Sequence, residues 1–236
     1  MPRTRELPPP PEHPVLSPPA TVAGEELVTI DGFAGEPSLE GRLRAPEGAT
    51  RAVLLCHPHP LYGGTMHSAV VLAIAKVLAE RGENTVATLR FNYRGVGTSE
   101  GSYSEGLGET FDARAALRLL RARAPVAKLS VCGYSFGTWV GLRAAAMERG
   151  VERVALVAPA VRMFDFVKED ASSLGGKIAV YVGDADEFCD VDEARALGET
   201  IGASVQIFEG SDHFFLRARR KLAEAVVPFV APEAEG

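Results

Sequence analysis

The sequence predicts an α/β fold: a mostly parallel sheet with helices on both faces and an antiparallel hairpin at one edge. Three observations lead there. Short β-prone apolar runs alternate with stretches of helical periodicity along most of the chain. The run Val53-Leu54-Leu55-Cys56 is continuously apolar, as in a parallel strand covered on both faces. A third run, Leu129, Val131 and Cys132, passes through Gly133-Tyr134-Ser135-Phe136-Gly137 into Trp139, Val140, Leu142, Ala144 and Ala145, which recur at helical spacing. That is a strand, a sharp turn and a helix.

In chain order, Met1 to about Ala23 carries Pro8-Pro9-Pro10-Pro11, Pro14, Pro18 and Pro19 with few large apolar groups. This arm, residues 1–23, is expected to be extended and either mobile or packed along a surface; residues 24–236 are expected to form one domain. Glu26 to Ile30 and Leu39 to Leu43 alternate apolar with polar residues around Gly35, Glu36 and Pro37, which predicts the edge hairpin. After the strand at Val53 the pattern predicts a helix from about His67 to Arg81, a strand from Thr85 to Tyr93, and a helix from about Glu109 to Ala124. Beyond the central turn come strands at Val154 to Val157 and Ile178 to Val182, then a helix near Glu193 to Ile201. A strand at Val205 to Phe208 and a last helix from Phe215 or Leu216 complete the pattern. The segment between Ala158 and Lys177, closing with Gly175-Gly176, has room for a short helix and a turn but not for a cap domain.

Composition narrows the function. With 46% hydrophobic and 24% charged residues the chain reads as an ordinary globular protein. A formal charge of -6 argues against nucleic acid, and the basic cluster Arg217, Arg219, Arg220 and Lys221 reads as the solvated side of the terminal helix. The three cysteines have no metal-like spacing and suit a reduced compartment; Cys56 and Cys132 read as core residues, whereas Cys189 falls in a loop where a thiol could react. The apolar run Ala69 to Ala79 is short and broken by Lys76, so no membrane span is predicted. Arg3, Arg5 and prolines stand where a signal peptide would need an apolar core, and the expectation is a cytoplasmic protein.

The chemistry centres on G-x-S-x-G. In a strand–turn–helix context this pattern holds the serine at a strained elbow, its hydroxyl clear of the sheet, with glycines where strand and helix approach too closely for a Cβ. A second match, Gly97-Thr98-Ser99-Glu100-Gly101, has no apolar strand leading directly into it and no helix leaving it, so Ser135 is selected over Ser99. A serine hydroxyl needs a base, and His213 is the histidine that follows the last predicted strand. The base needs an orienting carboxylate, for which Asp184, Asp186 and Glu187 compete at the end of the preceding strand; two or three residues beyond a strand end leaves room to curl toward the cleft, which favours Asp186. The order Ser, Asp, His is that of α/β-hydrolases. An oxyanion hole would use the N–H of Phe136 and a second N–H from Cys56 to Thr65. Pro58 and Pro60 have none, leaving His57, His59 and Leu61. His59 is favoured, through its backbone, and both histidines should be extended because each precedes a proline. Tyr62, Met163 and Phe164 are the candidate apolar walls. A metal site at His57, His59 and His67 lacks a matched carboxylate, so neither metal nor cofactor is expected.

His57-Pro58-His59-Pro60 with Gly63-Gly64-Thr65-Met66, the run from Arg90 to Gly101 (RFNYRGVGTSEG) and Gly133 to Gly137 together resemble a bacterial family of small, capless α/β-hydrolases, mostly described only as predicted hydrolases or esterases. The resemblance runs from about residue 25 onward. It implies the α/β-hydrolase fold without a large cap, and it supports Asp186 through the family's G-x-x-D pattern at Gly183 to Asp186. The function expected is a serine hydrolase cleaving small or short-acyl carboxylic esters, its partner a small-molecule ester rather than nucleic acid or membrane. A thioesterase, an amidase or peptidase with the same triad, and a non-catalytic binding protein on the same fold remain as alternatives, and the oligomeric state stays open.

Overall fold

Alternating burial along Leu39–Arg44 (β2) and its pairing with Glu26–Ile30 (β1) build the antiparallel edge, with Thr29 opposite Glu40. The structure, a computed structural model, describes residues 9–11, 17–33, 35–82, 84–174 and 177–233. Arg51–Cys56 (β3), Val86–Phe91 (β4), Lys128–Tyr134 (β5), Val151–Val157 (β6), Ile178–Gly183 (β7) and Ser204–Phe208 (β8) run parallel to one another. β2 joins them antiparallel through β4, and the strand order is β1-β2-β4-β3-β5-β6-β7-β8. β4 and β7 are buried along their whole length; β7 is an apolar run, as a strand covered on both faces requires, whereas β4 also buries Thr88 and Arg90.

Among the described residues six α-helices follow in order: Ala69–Arg81 (α1), Leu107–Arg123 (α2), Phe136–Met147 (α3), Lys168–Ala171 (α4), Val191–Ile201 (α5) and Arg219–Val230 (α6). They cover both faces. Leu54, Leu117, Val140 and Leu197 belong to the core under α2, α3 and α5, whereas Leu55, Ile74, Tyr181 and Val226 belong to the core under α1 and α6. This is the α/β-hydrolase fold. Among the described residues the chain between β6 and β7 forms only turns, α4 and a 3-10 turn at Ser172–Leu174, and no cap domain stands over the sheet; Gly175 and Gly176 lie outside the described residues. Among the described residues no helix is long and apolar enough to cross a membrane.

The last helix begins later than its periodicity suggests. Phe215 takes a left-handed backbone (φ 48°) that a helix cannot contain, and its ring is fully buried, edge-on to Phe208 at 5.6 Å. Burial of that ring outweighs local helical preference. As a result, His213 stays in an open loop.

Of the proline-rich arm, residues 1–8 and 12–16 lie outside the described residues, while 17–23 lie against the body. Arg90 holds them. Its guanidinium donates to Glu25 at 2.6 and 2.7 Å, to Ala20 O at 2.6 Å and to Met66 O at 2.8 Å. Both charged side chains are 1% exposed. Removing one partner of such a pair strands the other charge out of water, so Glu25→Ala should cost about 3–5 kcal/mol of stability. Glu26→Ala, which removes the exposed partner of Arg123, should cost less than about 1 kcal/mol. Urea denaturation of both variants checks the contrast; equal losses would mean that Arg90 finds water or another acceptor.

Candidate active site

β5 delivers the chain into Ser135 with φ 54° and ψ -120°, a conformation an L-residue adopts only under constraint. The constraint is visible. The Ser135 N–H donates to Val157 O at 2.9 Å on the neighbouring strand, and its carbonyl accepts from the Thr138 N–H at 2.9 Å and hydroxyl at 2.5 Å. A Cβ on Gly133 would lie 2.1 Å from Gly137 O, so this glycine lets α3 start against its own strand. A Cβ on Gly137 would lie 2.4 Å from Cys56 O, so the second glycine admits the end of β3 instead. The two glycines thus serve different approaches, where the motif alone suggested one.

The loops after β7 and β8 meet at the elbow. Ser135 Oγ is 3.0 Å from His213 Nε2, and His213 Nδ1 is 2.8 and 3.0 Å from the Asp186 carboxylate. A carboxylate only accepts, so Nδ1 carries the proton and Nε2 is left to accept from the serine hydroxyl. The Asp186 side chain has no exposure to solvent, and its Oδ1 also accepts from the Phe188 N–H at 2.8 Å. Asp184 faces solvent and braces the histidine loop through the Ser211 N–H at 3.3 Å. Glu187 is exposed as well.

The other candidates take structural positions. His57 is buried, Nδ1 donating to Pro58 O at 2.7 Å and Nε2 accepting from the Tyr93 N–H at 3.1 Å; burial pushes it down to about 3, so its ring stays neutral. His59 Nδ1 accepts from the Leu61 N–H at 3.3 Å, leaving Nε2–H to donate to Tyr103 Oη at 3.2 Å, and burial takes this ring to about 4. His67 Nδ1 accepts from the Ala20 N–H at 3.1 Å and faces Arg90 Nη1 at 3.1 Å. These contacts use up the lone pairs a metal would need, and no group of three ligating side chains forms a site among the described residues. Ser99 is a buried pin: its hydroxyl donates to Asn92 O at 2.9 Å and accepts from the Glu40 N–H at 3.0 Å. Cys189, expected in an accessible loop, is fully buried, and burial pushes its thiol up, away from reactivity.

The Ser135 hydroxyl opens on a cleft of about 360 Å³ whose wall includes His59, Tyr62, Met163, Phe188, Phe214 and Arg219. Phe164 is not on that wall. It stacks on Trp139 at 5.1 Å and meets Phe136 edge-on at 5.4 Å, backing the loop that carries His59. His59 has φ -57° and ψ 123°, the extended geometry imposed by the following proline, and its ring lies 4.9 Å from that of Phe136. Neither the His59 nor the Phe136 N–H donates a loop or turn hydrogen bond among the described residues. Phe188 packs edge-on to His213 at 4.6 Å, and Phe214 does so at 5.5 Å. Sequence reasoning passed over both, although each stands within two residues of a member of the triad; which way a loop side chain turns is a tertiary property.

The chain matches the family model described as serine aminopeptidase, S33 over residues 48–165. An uncharacterised protein of Rickettsia prowazekii is 30% identical over 203 residues, 81% of this chain and 83% of the relative. Among solved structures, an α/β serine hydrolase without lid from Xanthomonas campestris is 31% identical, with a TM-score of 0.75 over 92% of this chain and all of that one. An α/β serine hydrolase homologue from Coxiella burnetii is 30% identical, with a TM-score of 0.74 over 91% of this chain and all of that one.

Proposed function

The chain belongs to the serine aminopeptidase S33 family of α/β serine hydrolases, and from that premise we propose that it hydrolyses carboxylic esters with small or short acyl groups through an acyl-enzyme. The observation that carries this reading is the continuous hydrogen-bonded line from buried Asp186 through His213 to a Ser135 hydroxyl that opens on a cleft. Ser135 Oγ attacks the ester carbonyl while His213 Nε2 takes its proton, and Asp186 stabilises the resulting imidazolium. The developing oxyanion is held by the N–H groups of Phe136, at the positive end of α3, and of His59. His213 then protonates the departing alcohol, and a water activated by the same histidine releases the acid. No cofactor enters this sequence.

The family description favours a second reading, cleavage of an amide at a free amino terminus. Such a substrate presents an ammonium group, and among the described residues no aspartate or glutamate lines the cleft to receive it. A panel of esters, thioesters and aminoacyl amides separates the readings; turnover of the amides alone would overturn the ester assignment.

The size of the cleft sets a further expectation. Each acyl CH₂ adds about 0.8 kcal/mol only while there is wall to bury it against. With Tyr62 and Met163 as walls and no cap above, kcat/KM should rise over the first few acyl carbons and level off or fall by about eight. Preference for long-chain triglycerides with a rate jump at the micelle surface would contradict this.

A further inference from the structure

Arg219 stands apart from the basic cluster to which its sequence position assigns it. Arg220 pairs with Glu80 at 2.6 Å and Glu224 at 2.8 Å, and Lys221 lies over the Phe208 ring at 5.9 Å. Arg219 instead lines the cleft beside Ser135 and His213. Among the described residues it brings the only permanent charge to that wall, and it has no carboxylate partner. Its Nε donates to Phe214 O at 3.1 Å, which orients the guanidinium and, among the described residues, leaves the two terminal nitrogens without a protein acceptor. Arg219 is also the first residue of α6, where the helix dipole disfavours a cation, so helix stability does not explain it. It shares the cleft wall with Tyr134, whose phenol burial pushes up while the Arg219 charge acts against that rise.

We propose that Arg219 is a specificity-determining residue that selects esters bearing a free carboxylate, the class represented by half-esters of short dicarboxylic acids. The paired terminal nitrogens match the two oxygens of a carboxylate, a fit that an ammonium or a carboxamide does not offer. Anchored there, the carboxylate leaves the ester carbonyl facing Ser135, and the apolar wall of Met163 and Phe188 takes the chain between them.

The proposal rests on the ester reading, and one experiment keeps the two apart. Binding is measured calorimetrically on Ser135→Ala protein, which needs no turnover, with three matched alkyl monoesters ending in a carboxylate, a carboxamide or an ammonium group. The carboxylate should bind about 10- to 100-fold more tightly than the carboxamide, as a charge-assisted pair allows, with the ammonium weakest. The preference should shrink with added salt and fall to within about threefold in Ser135→Ala/Arg219→Gln protein. Equal binding of the three, or a preference that survives Arg219→Gln, overturns it. Should Arg219→Gln fail to fold, Arg219→Lys, which retains the charge without the fork, must keep only part of the preference. Turnover of the carboxamide-ended ester by the wild type is read separately: its absence would count against the ester reading while the binding order still judges Arg219.

Discussion

Ser135→Ala protein is expected to lose at least about 10⁴-fold in turnover, and all covalent labelling by a fluorophosphonate, while keeping its fold. The size follows from the site. Without Oγ, His213 has no hydroxyl to deprotonate, and the oxyanion donors alone can act only on a water that nothing positions. The control is Ser99, centre of the other G-x-S-x-G. Its hydroxyl is committed to Asn92 and Glu40, so Ser99→Ala should lower stability by about 1–3 kcal/mol through unmade buried hydrogen bonds while labelling at Ser135 persists. Mass-spectrometric mapping of the labelled peptide decides it; label on Ser99 would remove Ser135 from the mechanism.

Asp186→Asn is the second large effect, about 10³- to 10⁴-fold in kcat with KM little changed. An asparagine amide would donate where the carboxylate accepts, turning His213 to the tautomer with its proton on Nε2, where the serine proton has to go. The geometry leaves no substitute, because Asp184 faces solvent and Glu187 is exposed. Asp184→Asn removes only a charge from the brace at Ser211 and should cost less than about tenfold. The reverse ranking would reassign the orienting role. A nitrogen-15 NMR spectrum of His213 gives an independent reading, since the tautomer should switch in Asp186→Asn and not in Asp184→Asn.

Much of the fold was legible because the determining signals are local. Continuous apolar runs such as Val53 to Cys56 have a buried parallel sheet as their natural home, and alternation around Gly35 and Pro37 marks an edge hairpin. Order along the chain also carried information: a serine at an elbow, a carboxylate after one later strand and a histidine after the last place three loops at the same end of a parallel sheet.

Other features depended on contacts between distant residues, which no local pattern encodes. Phe215 abandons the helical backbone because its ring is buried against Phe208, and that choice moves the start of α6 three or four residues beyond the Phe215 or Leu216 its periodicity suggested and leaves His213 in a loop. Phe164 reads as a cleft wall until Trp139 captures it, and Cys189 reads as accessible until the loop folds over it. Arg219 looks like its basic neighbours in sequence, yet the turn of one helix sends it to the cleft while Arg220 finds Glu80 on α1, 140 residues away along the chain. Residue type and spacing settle which chemistry is possible and on which sheet it stands. Which side chains face the substrate is decided by the packing of loops whose partners lie far apart in sequence, because the orientation of a loop residue is set by the surface it can bury or the hydrogen bond it can complete.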